Sequence, residues 1–182
     1  RDTILPNLAS ELDSLSGMLK TEINKLHNAG AGSPPASTLT GTASFGGGAA
    51  TAFAGTGIAR IAVVNSDGTF AAAPFDFDLS TAATIGGVIT AINTNLVGFA
   101  TASLNANNEL VITATNPNDG IAINEGTSSV GGSGLSSHFG LNDFFVGSGA
   151  VSLAGTIAVR PDIISTPQHL SSGTLNNTAI GN

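Results

Sequence analysis

The sequence predicts an α+β fold that is mostly β: a long N-terminal α-helix followed by an antiparallel β-rich domain with one packed helix. Three observations carry this. Apolar residues recur every three or four positions over the first 26 residues, which is the helical period. From Ile58 the period falls to two, with turn signals such as Asp67-Gly68 between the alternating stretches. Helical spacing returns once inside that region, at about 84–97.

In the first element, "ILPNLASELDSLSGMLKTEINKLHNAG", the residues Leu5, Leu8, Leu12, Leu15, Leu19, Ile23 and Leu26 fall on one narrow stripe, the width of a seam between helices. Pro6 suits only a first turn, and Gly30 a helix stop. Such a helix is marginal alone in water. The rest of the chain offers no second helix of matching length, so the seam is expected to meet a helix from outside it. Residues 1–30 are assigned to this helix, and 31–57, with "GSPPAS" and "FGGGAA", to a linker and flexible loop. Residues 58–150 form the outer β-rich domain, and 151–182 an extended return segment in which Thr166-Pro167 opens a short helix.

Within the outer domain, "IARIAVVNSDGTF" reads as strand, turn, strand. "FDFDLS" alternates, with Phe75, Phe77 and Leu79 inward and Asp76 and Asp78 outward. Thr84 caps a helix bearing Ile85, Val88, Ile89, Ile92 and Leu96 on one face, and Gly98 ends it. A second hairpin pairs Ala100, Ala102 and Leu104 with Leu110, Ile112 and Ala114 around an Asn-rich turn, and "IAIN" supplies a further strand.

Composition narrows the function classes. Only 9% of residues are charged, against roughly 25% for an ordinary domain, so Thr, Ser and Asn must make the polar surface, as in β-rich extracellular proteins. The net charge is −7, and beyond Lys25 the only cations are Arg60 and Arg160 against eight acids. A phosphate backbone or an anionic membrane needs clustered cations, so no nucleic acid and no membrane is expected as a partner. With no cysteine, disulfides, thiolate chemistry and cysteine-ligated zinc are excluded. No run of 18 apolar residues is present, so no membrane-crossing helix is expected. The chain starts at Arg1 in what already reads as helix and is expected to be a piece of a longer protein.

The stretch "SSHFGLNDFFVG" concentrates His138, Asp143, Phe139, Phe144 and Phe145. Ser137, His138 and Asp143 supply the residue types of a hydrolytic triad, but no G-x-S-x-G elbow accompanies them. Neither glycine run carries the Gly-Lys-Ser/Thr ending of a phosphate loop. Asp76 and Asp78 are separated by Phe77 and lack the glycine that bends a calcium loop, and His27, His138 and His169 form no close pair at metal-ligand spacing. The reading is therefore packing: Phe139 and Leu141 enter the core, Asn142-Asp143 turn the chain, and Phe144, Phe145 and Val146 close the core or meet a neighbour. No catalytic, cofactor-binding or metal-binding residue is assigned; the chain is read as no enzyme, without cofactors. The competing readings are a secreted carbohydrate-binding or adhesive β-module, disfavoured by the absence of Trp and Tyr, and a hydrolase using Ser137, His138 and Asp143.

"RDTILPNLASELDSLSGMLKTEINKLHNAG", "HFGLNDFF" and "IAVRPDIISTPQHLSSGTL", in this order, resemble the bacterial flagellar hook-associated protein 1 family, the hook–filament junction proteins. "FDFDLSTAATIGGVITAINTNLVGFATASLNANNELVITATN" is similar to a module of flagellins and hook-associated proteins, so a flagellin-like or filament-cap-like axial relative is the alternative. Residues 33–57 match nothing in that family. The resemblance implies a non-catalytic structural subunit, exported by the flagellar apparatus and assembled outside the cell. It implies partners too: further copies of itself in a helical or ring assembly, the hook protein, and neighbouring hook-associated or filament proteins. The helices of that family form coiled coils in the tube wall, which makes Leu8, Leu12, Leu15, Leu19, Ile23 and Leu26 inter-helix positions. It also implies that this chain lacks both distal termini of a full-length member.

Overall fold

The computed structural model describes residues 4–147, 152–176 and 180–181, and its architecture is α+β, mostly β. The helices are α1 (Ile4–Asn28), α2 (Ile85–Asn95), α3 (Leu135–Phe139), α4 (Leu153–Thr156) and α5 (Pro161–Ser165). The longer strands are β1 (Thr38–Ser44), β3 (Ile58–Val64), β4 (Phe75–Asp78), β5 (Ala100–Leu104), β6 (Glu109–Ala114) and β7 (Gly120–Asn124). Between and after them come the two-residue strands β2 (Gly55–Thr56), β8 (Ser129–Val130), β9 (Phe145–Val146), β10 (Ala158–Val159), β11 (Thr174–Leu175) and β12 (Ile180–Gly181).

Two three-stranded antiparallel sheets, β1-β6-β5 and β4-β3-β7, share one core with α2. The hairpin β5–β6 pairs Ala100 with Ala114, Ala102 with Ile112 and Leu104 with Leu110, the register that alternation demands. Thr84 caps α2 through its hydroxyl, which accepts from Gly87 N at 3.1 Å, and Ile85, Val88, Ile92 and Leu96 are buried beneath it. Gly98 leaves the helix with φ +83°, a conformation open to glycine. Phe77 and Leu79 are buried, while Asp76 and Asp78 face outward.

Strand β3 is covered on both faces. Ala59, Ile61 and Val63 join the main core, while Ala62 and Val64 pack in a second layer with Ala31, Ala122 and Leu175. This explains why its sequence is a nearly continuous apolar run rather than a strict alternation. The lid on that second face is the antiparallel pair β11–β12 and the Ala31↔Gly173 bridge, so the return segment closes a core layer.

Two expectations are corrected. Residues 31–57, expected to be linker and flexible loop, contain β1, which pairs antiparallel with β6 at Leu39↔Ile112 and lies inside the first sheet. The strand was hidden because "TLTGTAS" holds one large apolar residue, Leu39; its pairing comes from threonines, good strand formers, and from Gly41, where a Cβ would lie 2.5 Å from Phe139 O. In the same segment Phe53 is buried and β2 pairs with β8. The second correction concerns 151–182, expected to be extended with a short helix at Thr166-Pro167. It carries α4 and α5, and the helix opens at Pro161, a proline at the first helical position. Pro167 begins only the 3-10 turn Pro167–His169. The expected boundary at 150–151 lies outside the described residues.

Candidate functional site

Helix α1 is docked by its polar face. Asp13, Gly17, Lys20, Asn24, His27 and Asn28 step by three and four along one side of the helix, the spacing of a single face. Asp13 Oδ2 and Oδ1 accept from Ser152 N (2.6 Å) and Ala154 N (2.8 Å) at the start of α4, and these bonds lower the Asp13 pKa from its ordinary value. Gly17 lies against Leu153, to which an added Cβ would come within 3.6 Å. Lys20 Nζ donates to Gly147 O at 2.7 Å.

The last turn of the helix grips the loop 140–145. Asn24 Oδ1 accepts from Phe144 N (3.0 Å) and Phe145 N (2.7 Å), and Asn24 Nδ2 donates to Phe145 O (2.9 Å). Asn28 Oδ1 accepts from Asn142 N (2.9 Å) and Ser136 Oγ (2.7 Å), and Asn28 Nδ2 donates to Asp143 Oδ1 (2.7 Å). The other Asp143 oxygen accepts from Thr42 Oγ1 at 2.6 Å. His27 is neutral by its partners: Nε2 can only accept from the Ser171 amide (2.9 Å), so Nδ1 carries the proton and donates to Asn142 O (2.6 Å). Burial pushes the His27 pKa below its ordinary value, against the opposing pull of the Asn142 carbonyl. The helix-end carbonyl of His27 accepts from Asn142 Nδ2 (2.9 Å) and Ser171 Oγ (2.7 Å), which settles one of the acceptors a helix terminus leaves open.

From the opposite side Arg160, itself buried, holds the same loop. Its NH1 donates to Leu141 O (3.1 Å), its backbone N–H to Phe144 O (2.9 Å), and its guanidinium pairs with both oxygens of Asp162 (3.0 and 2.7 Å). Burial of Asp162 works against its ionisation, but the bonds to Arg160 outweigh it and the pKa lies below the ordinary carboxylate value. Gly140, with φ +64°, makes the tight turn into the joint.

With the polar face turned inward, the apolar stripe faces solvent. Leu5, Leu8, Leu12, Leu15, Leu19 and Leu26 are 48–70% exposed, and Ile4 and Met18 widen the ridge. Ile23 is half-buried and, with Leu26, forms one wall of an open groove whose other wall is Phe144 and Leu170. The ridge therefore runs off the helix onto the outer domain. An exposed contiguous strip of this kind on a folded chain marks an interaction surface.

The remaining predicted positions fall elsewhere. Phe139 is fully buried in the core, edge-on to Phe45 and stacked on Phe53, while Phe144 and Phe145 are half-buried, edge to face at 4.7 Å. His138 sits among Phe45, Phe53 and Phe139, and burial lowers its pKa. Ser137 Oγ donates to Glu125 at 2.9 Å, while Asp143 is engaged by Asn28 and Thr42; these bonds do not connect Ser137, His138 and Asp143 into a relay. Asp76 forms a two-point pair with its cross-strand neighbour Arg60 (2.6 and 2.7 Å), and Asp78 accepts from Ser80 N (3.0 Å) at the start of a 3-10 turn. Among the described residues no three His, Asp or Glu side chains converge on a metal-sized site, and no helix is long and apolar enough to cross a membrane. The asparagines of the joint were missed in the sequence. Their signal was slight: two Asn four residues apart in one helical turn, where asparagine is a weak helix former.

No protein-family profile, no curated protein and no solved structure matches this chain.

Proposed function

We propose that the chain is a non-catalytic structural subunit of the bacterial flagellum, joining hook to filament, and that it acts through packing between subunits outside the cell. The observation that supports this most is the orientation of α1. A helix with seven aliphatic positions on one stripe is fixed by Asp13, Lys20, Asn24, His27 and Asn28 on the opposite face, leaving the stripe outward. A free-standing globular protein turns such a stripe inward, since each buried leucine contributes about 1.5–3 kcal/mol. A wall subunit keeps it for its neighbours, while the β-rich domain, poor in charge and rich in Thr, Ser and Asn, stands away from the wall. The segments resembling hook–filament junction proteins include both halves of the polar joint, "TEINKLHNAG" and "HFGLNDFF".

The test is Leu12→Asp with Leu19→Asp in the full-length protein, expressed in the source bacterium. Both side chains are about half exposed, so the outer domain folds as in the parent and its circular dichroism is unchanged. Filaments are lost from the hook, and swimming with them. Normal filaments on cells carrying the double variant would overturn the proposal.

A further inference from the structure

The charges along the ridge specify a partner for it in solution. In heptad terms Leu5, Leu12, Leu19 and Leu26 occupy the a positions and Leu8, Leu15 and Glu22 the d positions; Ile4, Glu11, Met18 and Lys25 occupy the flank beside d. Two parallel copies in register would place Glu22 directly against Glu22 of the other copy inside the seam, where like charges repel. They would also leave Glu11 without a cation opposite it.

Reversing one copy removes both faults. With the two-fold axis near Gly17, Leu15 packs on Leu19 and Leu8 on Leu26 of the second copy. Glu11 of each copy then lies beside Lys25 of the other, and the two Met18 side chains meet at the axis. Glu22 faces Leu12 next to its own Lys25, so each Lys25 stands between two carboxylates. In this register Leu5 passes over the end of the partner helix, where the groove between Ile23, Leu26, Phe144 and Leu170 is open.

We propose that this chain self-associates through α1 as an antiparallel, two-fold symmetric pair in that register, with Leu8 and Leu5 of each copy seated at the Leu26–Leu170 groove of the other. The pairing rests on the ridge being an assembly surface and names the partner that covers it when other subunits are absent. It involves no flagellar component, so it can fail while the hook–filament reading stands, and the reverse.

The chain has no cysteine, so single-cysteine variants report the geometry cleanly. Light scattering on the 182-residue chain at tens of micromolar is expected to give twice the 17.9 kDa chain mass, and a monomer at all concentrations refutes the proposal. Met18→Cys is expected to form a disulfide-linked dimer on mild oxidation, while Leu8→Cys is not, since the two copies of residue 8 lie about 27 Å apart at 1.5 Å per residue. The reverse result, Leu8→Cys linking and Met18→Cys failing, would establish a parallel pair and overturn the assignment. Glu11→Lys weakens association at least tenfold, and adding Lys25→Glu restores it; a double variant no tighter than the single one would also overturn it.

Discussion

Replacing Asn24 with alanine tests the joint that turns the ridge outward. The side chain makes three hydrogen bonds to main-chain groups of Phe144 and Phe145, and only 8% of the residue is exposed. Each such bond contributes about 1 kcal/mol net, so the substitution costs about 3 kcal/mol, or about 2 if water reaches the freed peptide groups. A released α1 gains little from its own backbone, because an isolated helix of this length is marginal. The loss therefore appears as local detachment of α1 while the sheets remain folded. Hydrogen exchange at two amides that Asn24 does not touch reads it out: Asn142, bonded to Asn28, and Ser171, bonded to His27. Their protection is expected to fall about 30- to 150-fold, the equivalent of 2–3 kcal/mol. Asn24→Asp keeps both acceptor contacts but turns a carboxylate oxygen toward the Phe145 carbonyl that Nδ2 served, so its loss is at least about 1 kcal/mol. Protection within twofold of the parent in Asn24→Ala would refute the reasoning, because the joint would then not hold the helix.

The joint also weakens in acid. His27 is bound in its neutral form with a pKa depressed below 6.5, so the unfolded chain takes up the proton first. Its contribution is complete above pH 6.5, falls as the pH drops below that value, and levels off beneath the folded pKa. Urea midpoints at pH 7.5 and 5.0 check this, with His27→Gln losing part of the difference and the remainder belonging to His138, which is depressed in the same direction. Asp13 and Asp162, held below their ordinary values, lose their contribution in a separate, lower window as the pH falls through and below about 4. Gly140→Ala puts a Cβ on a residue at φ +64°, onto Thr42 Oγ1 and 2.9 Å from Asp143 Oδ2, so thermal unfolding should show a loss of at least about 1–2 kcal/mol.

Much of the fold was legible because its hydrophobic periods are clean. The β5–β6 register follows from Ala100, Ala102 and Leu104 opposite Leu110, Ile112 and Ala114, and α2 from Thr84, Ile85, Val88, Ile92 and Gly98. Strand β1 was not legible, because Thr, Gly and Ala carry its pairing and only Leu39 marks its buried face. Helix α5 was displaced in the reading because two prolines, Pro161 and Pro167, each offer a helix start, and only the burial of Ile163 selects the first. The leucine stripe itself could be read from spacing. That the helix is held by Asn24, His27 and Asn28 could not, because their partners, main-chain groups of residues 142–145 and 171 and the side chains of Ser136 and Asp143, lie more than a hundred positions away.

Thiol labelling of Leu19→Cys tests the central claim most directly. In the isolated chain, diluted until it is monomeric, the thiol should react at close to the rate of the urea-unfolded chain, since the position is half exposed. Under the proposed flagellar role, it should react at least tenfold more slowly in assembled flagella carrying the same substitution. A thiol shielded in the dilute monomer, or equally reactive in the assembled organelle, would contradict the account of an outward ridge covered by neighbouring subunits.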